Sequence, residues 1–333
     1  MRRYFARCVM LFLMILVLAP NLHAETVKLK VLIAPFLGYA PYFIAEEEGY
    51  FAEQGLEIEF VKMGGTIKSI PALAQGDLDV LSGDISIGVL NAIARGGAIR
   101  IVSDKGYIDP AGCSYNALLV RKNKKSKAEI SSPEQLKGRQ IAVTPRNSSE
   151  YYVEKLLKTA GLTLDDVRLK NIPFPVRLKA LETGAVDVIN TGEPWITRSL
   201  RTGNAALWVS ANEIIPEFQY AVIFYGPSLL NENPDAGRRF MTAYLKAARQ
   251  YNEGKTDRNV EIVAKHTGLD RELVREACWS SIRKDGRVNV NSVIEFQEWC
   301  VEKGWLDSVI PEDRFLDRSF VEYANEALGA SSE

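Results

Sequence analysis

Arg146-Asn147-Ser148-Ser149 is a sharp polar cluster, and it stands just before a segment with helical spacing. Hydroxyls and free backbone N–H groups at a helix start favour a sulfonate, carboxylate or phosphate. Arg146 adds a donor able to bind such a group bidentately. Asn147 and Glu150 also have N-cap and N3 spacing, so capping alone accounts for the same residues. Glu193-Pro194-Trp195 opens another helix. The Trp195 indole offers a stacking face. The Glu193 carboxylate offers either an acceptor for an amino group on a heterocycle or a helix-start charge held by the macrodipole. Phe36, Tyr39 and Tyr42 cluster in one loop, where they wall a planar or apolar ligand or pack the loop down. Gly64-Gly65-Thr66 presents backbone N–H groups at a third helix start, as an anion site or an ordinary glycine turn. Ser82, Asp84, Phe174 and Asn190 fall in further loops of the same kind. Glu193 and Arg146 together point to a mixed-polarity organic ligand rather than a bare inorganic anion.

Catalytic signatures are missing. HExxH, GxSxG, GxGxxG and the P-loop pattern do not occur. His266 is the sole histidine after residue 24, and its helix-like setting suits a surface or helix-end role. No CxxC occurs, so zinc-ribbon and thioredoxin readings fail, and neither a metal nor a cofactor is expected. Cys113, Cys278 and Cys300 are an odd set. Cys278 and Cys300 either pair in an oxidising compartment or stay buried as thiols. Cys113 reads as buried packing rather than a nucleophile.

Strand and helix signals alternate around these residues. Val27 to Ala34 ends in a continuous apolar run, as a buried parallel strand does. Pro41 opens a helix that Gly49 stops, and Leu56, Ile58 and Phe60 alternate as a strand. A helical stripe on Ile67, Ile70, Leu73 and Ala74 ends at Gly76, and Asp79-Val80-Leu81 starts a third strand. A helix from about Ile85 to Ala94 and a strand from Ala98 to Val102 follow. Further on, strands are predicted at Tyr115 to Val120, Gln140 to Val143, Val167 to Ile172 and Ala206 to Ser210. Tyr151 to Ala160 and Pro194 to Leu200 read as helices, Gln219 to Tyr225 as a strand returning to the first half, and the C-terminal third as mostly helical. This alternation implies parallel sheets covered by helices.

Ala72 to Val80 and Ala180 to Val188 both read A-L-x-x-G-x-x-D-V. Each places a glycine after a helix and then turns into a strand. The neighbouring elements match as well, so the chain is expected to form two similar α/β lobes. Open sheets of this kind bind ligands beyond the carboxyl ends of their strands. The loops at 35–42, 63–66, 82–86, 144–149, 173–177 and 190–195 are therefore expected to face one another across a cleft.

The 333 residues are 47% hydrophobic and 25% charged with a formal charge of −1, which excludes a disordered chain and gives no basic excess for nucleic acid. Residues 1–24 read as a cleaved signal peptide: Arg2, Arg3 and Arg7, an apolar run from Val9 to Ala19, then Leu22-His23-Ala24. The mature chain is expected in the periplasm.

Pro41 to Ile58 (PYFIAEEEGYFAEQGLEI), the two A-L-x-x-G-x-x-D-V segments, Lys137 to Val143 and Ala160-Gly161-Leu162 resemble the substrate-binding proteins of ABC importers of the nitrate/sulfonate/taurine type. That group also includes binders of thiamine-pyrimidine precursors. The resemblance covers roughly 27–250. It implies a two-lobed type II periplasmic-binding-protein fold, each lobe a mostly parallel sheet with flanking helices. Chain crossings would fall near Gly112-Cys113 and Phe218, giving one lobe of 25–112 and 218–333 and another of 113–217. It further implies a monomer that delivers a small organic ligand to a permease of the inner membrane. An aliphatic sulfonate, a pyrimidine and another small aromatic all fit. Some enzymes of thiamine and menaquinone biosynthesis look similar, and an exported sensor module would use the same closed surface. The export signal and the scarcity of histidine favour a binding protein.

Overall fold

The computed structural model describes residues 26–34, 36–62, 66–122 and 129–329. The expected signal peptide, Gly64, Gly65 and the Thr66 side chain lie outside what is described.

Two five-stranded sheets carry the molecule. The first contains β1 (Val27–Leu32), β2 (Leu56–Val61), β3 (Val80–Asp84), β4 (Arg100–Tyr107) and β10 (Gln219–Tyr225), in the order β2-β1-β3-β10-β4. The second contains β5 (Asn116–Arg121), β6 (Gln140–Val143), β7 (Arg168–Asn171), β8 (Val188–Gly192) and β9 (Ala205–Ser210), in the order β7-β6-β8-β5-β9. In each sheet four strands share a direction and one is reversed, β10 in the first and β5 in the second. The reversed strands are the two that follow a crossing. A strand such as β4 ends at the inter-sheet edge, so its successor β5 must start there and run the other way. All seven residues of β10 are buried, as suits a strand enclosed by neighbours on both sides.

The helices follow from the apolar stripes. Around the first sheet stand α1 (Ala40–Glu47), α2 (Tyr50–Glu53), α3 (Thr66–Gln75) and α4 (Ile87–Ala94). The second sheet carries α5 (Ser148–Thr159), α6 (Phe174–Thr183), α7 (Trp195–Arg201) and α8 (Ala211–Ile214). The C-terminal third supplies α9 (Pro234–Tyr251), α10 (Asp257–Thr267), α11 (Arg271–Glu276), α12 (Val290–Glu302), α13 (Glu312–Phe315) and α14 (Ser319–Ala327). The amphipathic α9 buries Phe240, Met241, Tyr244 and Leu245 against the first sheet's core, each worth about 1.5–3 kcal/mol of transfer free energy.

The repeated motif has one structural job in both halves. Gly76 and Gly184 adopt left-handed φ of 79° and 78° at the ends of α3 and α6. The Asp79 carboxylate then accepts from Lys30 N at 2.7 Å, and the Asp187 carboxylate accepts from Gln140 N at 2.9 Å. Each aspartate thereby pins the neighbouring strand, β1 within its length and β6 at its start.

Three details depart from the sequence reading. Strand β4 runs on to Tyr107 rather than stopping at Val102. The cysteine pair is Cys113–Cys278, 165 positions apart, while Cys300 is a free buried thiol. The crossing segment carries Cys113 to the end of α11, whereas α12 turns Cys300 into an apolar core that holds its thiol pKa up at about 12. Glu150 completes no capping box: its carboxylate accepts from Arg146 N at 2.6 Å, while Asn147 Oδ1 caps Ser149 N at 2.8 Å. His266 ends α10, stacked on Phe43 and 2.8 Å from Glu47 Oε1.

Candidate functional site

The strand ends of the two sheets face each other over a cavity of about 550 Å³. From the first sheet it is lined by Phe36, Tyr39, Asp84, Ser86, Lys105 and Tyr220; from the second by Tyr115, Asn116, Thr144, Asn147, Phe174 and Trp195. The lobes touch at its rim. Ser86 and Asn147 form a backbone bridge, Ile87 N donates to Arg146 O at 3.2 Å, and Asn147 Nδ2 donates to Asp84 Oδ2 at 3.2 Å. The cleft is therefore closed.

Aromatic rings form one wall. Phe36 meets Phe174 edge-on at 5.2 Å and Trp195 at 6.5 Å across the cleft. Phe174 is held from behind by the buried Arg177, whose guanidinium lies 4.0 Å from its ring centre. Arg177 donates to Ile172 O at 2.7 Å, Asn190 O at 2.5 Å and Thr144 Oγ1 at 2.9 Å. It thereby ties the loops after β6 and β7 to strand β8. Gly38 lets the opposite side close: a Cβ there would stand 3.1 Å from Tyr115 Oη and 3.5 Å from Lys105 Nζ.

Polar groups of the wall lack partners. Lys105 is buried, with Nζ 3.7 Å from the centre of the Tyr39 ring, and among the described residues it makes no hydrogen bond or ion pair. Burial lowers its pKa to about 8 against the opposing pull of Asp84 and Asp104. Ser86 Oγ and Trp195 Nε1 are buried without a hydrogen-bond partner. Such orphans are costly unless something fills them. Asp84 faces the same space, its pKa pushed up to about 6 by burial and restrained by Lys105 and Arg177.

Of the residues singled out in the sequence, Phe36, Tyr39, Asp84, Asn147, Phe174 and Trp195 come together around the cavity. Others are placed elsewhere. Tyr42 and Ser82 are buried beneath it and hydrogen-bond one another. Ser149 and Asn190 are consumed in a chain in which Ser149 Oγ donates to Asn190 Oδ1 and Asn190 Nδ2 donates to Asn116 Oδ1, each at 2.8 Å. Ser148 is buried but does not line the cavity. Arg146, with φ of 58°, turns outward, its guanidinium 5.5 Å from the Trp305 ring centre. Glu193 is buried as a helix-start group: it accepts from Thr197 N at 3.1 Å, Thr197 Oγ1 at 2.8 Å and Cys278 N at 3.1 Å. The mixed polarity expected of Arg146 and Glu193 is supplied instead by Lys105 and Asp84. Sequence reasoning missed Lys105, Ser86 and Arg177. Ser86 and Arg177 lay within loops already marked as facing the cleft, whereas Lys105 sits in Ser103-Asp104-Lys105-Gly106, past the predicted strand end at Val102.

The comparisons agree with this architecture. A protein of Brucella abortus, named only as a binding protein, is 26% identical over 253 residues, covering 74% of each chain. The nitrate/nitrite binding protein NrtA of Nostoc is 24% identical over 67% of this chain and 53% of its own length. Among solved structures, the periplasmic aliphatic sulphonate binding protein SsuA of Escherichia coli superposes with a TM-score of 0.71 at 16% identity, over 88% of this chain and 92% of its own. The desulfurization enzyme DszB shares the fold with a TM-score of 0.67 at 16% identity, over 91% of this chain and 99% of its own. Residues 38–253 match the family described as NMT1/THI5 like. The chain belongs to the NMT1/THI5-like family and has the two-lobed type II fold of periplasmic solute-binding proteins.

Proposed function

We propose that this protein is an exported solute-binding protein that closes two lobes over a small organic acid with a planar or apolar body and presents the closed form to an ABC permease. The moving bodies are 25–112 with 218–333, and 113–217. The observation that carries the reading is the convergence of Lys105, Ser86 and Trp195, all with unpaired donors, on an aromatic-walled cavity at the junction of two lobes. An anion there supplies the missing acceptors, and the rings cover its apolar part. Hinge closure around a ligand is the transition that such a two-lobed architecture supports. Cleavage after Ala24, a periplasmic location and a monomeric state belong to the same reading.

Mass spectrometry of compounds released from gently purified protein tests it, together with small-angle scattering before and after ligand removal. One ligand per chain and a larger particle once it is removed are expected. A tightly bound ligand with no change in particle size would overturn the reading.

A second reading is an enzyme on the same fold, for example on a thiamine- or menaquinone-pathway intermediate. The half-buried Asp84 and the buried Lys105 in a closed cavity, and the shared fold of a desulfurization enzyme, favour it. Fold alone does not decide function. Prolonged incubation of protein with its released ligand discriminates: unchanged ligand supports binding, and a product supports catalysis.

A further inference from the structure

Asp84 and Lys105 flank a single strand. Ala221 of β10 pairs with Asp84 on one side and with Gly106 on the other. The register then jumps, because Val222 pairs with Asp104, so Lys105 has no partner and forms a bulge. A bulge of this type re-aims a side chain and breaks the alternation of faces. Asp104 stabilises it from beneath, its Oδ1 accepting from Gly106 N at 2.8 Å and Gln219 Nε2 at 2.5 Å. Lys105 is thereby delivered to the cavity wall. The two backbones stand two strand spacings apart, about 10 Å. Both side chains line the same space, yet they form no ion pair with each other. Asp84 Oδ2 is engaged by Asn147, and Oδ1 has no hydrogen-bond partner among the described residues.

The cavity thus offers a free cation and a free carboxylate oxygen at separate points, with aromatic rings beside them. A simple inorganic oxyanion would satisfy Lys105 and leave Asp84 facing a like charge. A ligand carrying an acid and, elsewhere on its planar frame, an N–H donor satisfies both. We propose that the cleft selects planar organic acids that also carry an amino or ring N–H group, with the acid on Lys105 and the donor on Asp84. This rests on the reading of the cleft as a ligand site and makes Asp84 its specificity-determining residue.

Isothermal titration calorimetry with defined probes tests it. The panel is benzoate, benzenesulfonate, 2-naphthoate, the amino-substituted isomers of each, aniline and nitrate, titrated into ligand-stripped protein. At least one amino-substituted acid is expected to bind about tenfold or more tightly than its parent acid, and nitrate more weakly than either. Asp84→Asn is expected to abolish the amino preference, read as the ratio of the affinities for the amino-substituted and parent acids. Lys105→Met is expected to lose the acids. Absence of an amino preference in the unmodified protein, its survival in Asp84→Asn, nitrate binding as tight as the best acid, or no binding by any probe would each overturn the proposal. Only the second needs a variant, and Asp84→Ser serves if Asp84→Asn does not fold. A released natural ligand lacking either the acid or the N–H group would overturn this inference while leaving the solute-binding reading intact. A ligand that binds without compaction would strike that reading instead.

Discussion

Lys105 and Trp195 show at the level of single residues what a binding cavity costs a folded chain. A buried ammonium without an acceptor and a buried indole N–H without one both destabilise the unliganded protein. Their orphan donors become favourable only with a ligand in place. Trp195→Phe keeps a ring in the wall and removes the donor. Affinity for the released ligand is expected to fall about tenfold with the melting temperature unchanged or raised, as calorimetry and thermal melts will show. Ser148→Ala is expected to leave affinity unchanged, because Ser148 is off the cavity wall.

The pH dependence of Lys105 has two opposite faces. Its groups of influence are Asp84, Asp104 and the Tyr39 ring. With its pKa lowered to about 8, the amine loses its proton in the unliganded protein as pH rises past 8, so affinity for an anion falls. Between about 8 and the ordinary 10.5, the folded state binds fewer protons than the unfolded one, so the contribution of Lys105 to unliganded stability rises with pH. Binding titrations and denaturant melts from pH 7 to 10 are expected to move in opposite directions, and the stability difference between the parent and Lys105→Met carries the Lys105 share.

At the scale of elements, bulges, caps and staples decide where side chains go. The Asp79 and Asp187 contacts are one device used twice, which is why the repeated motif correctly foretold two similar sheets. The disulfide is a device used once. It closes a span of 165 positions between the first crossing and the end of α11, beside the Glu193 carboxylate that accepts from Cys278 N. The chain-entropy relation gives about 5 kcal/mol for a loop of that size. The Cys113→Ser/Cys278→Ser double variant is expected to lose about 2–5 kcal/mol in urea unfolding, with a larger m-value because the unfolded chain is released.

At the scale of the whole molecule, two of the regions where the lobes meet outside the cavity bear on closure. One is the disulfide region. The other is α12 against α5: the buried Glu154 accepts from Trp299 Nε1 and Lys303 Nζ, both at 2.7 Å, and Glu295 accepts from Tyr151 Oη at 2.8 Å and Lys155 Nζ at 2.7 Å. Because α12 also packs on β10, it braces one lobe against the other in the closed arrangement. Removing the acceptor from a buried charge-assisted pair is costly. Glu154→Ala is expected to shift the unliganded protein towards an open form, increasing its radius of gyration in scattering and weakening ligand binding about tenfold. A lowered melting temperature with unchanged dimensions would show instead that α12 and α5 move as one body.

Local periodicity and one repeated motif were enough to read most strands, the paired α/β design and the edge on which the loops gather. Those are properties of short stretches of chain. Hydrophobic spacing selects helix or strand, a glycine ends a helix, and the carboxyl ends of like-directed strands lie on one side. The aromatic half of the cavity wall was legible for the same reason: Phe36, Phe174 and Trp195 each follow a strand directly. The polar half was not. Ser103-Asp104-Lys105-Gly106 is hydrophilic enough to pass for a turn, and only β10, entering from the far end of the sequence, makes it a buried strand with a bulge. Arg146 and Glu193 had suitable chemistry at suitable helix starts, but a left-handed turn aims the first outward and the Thr197 and Cys278 contacts use up the second. Which cysteines pair likewise depends on where two remote segments meet. The sequence by itself determined the elements, their pairing into two lobes and the edge where a solute would enter. Only the tertiary structure decided which charges look into that space, because a side chain's direction within a sheet is set by its register against strands that are distant in the chain.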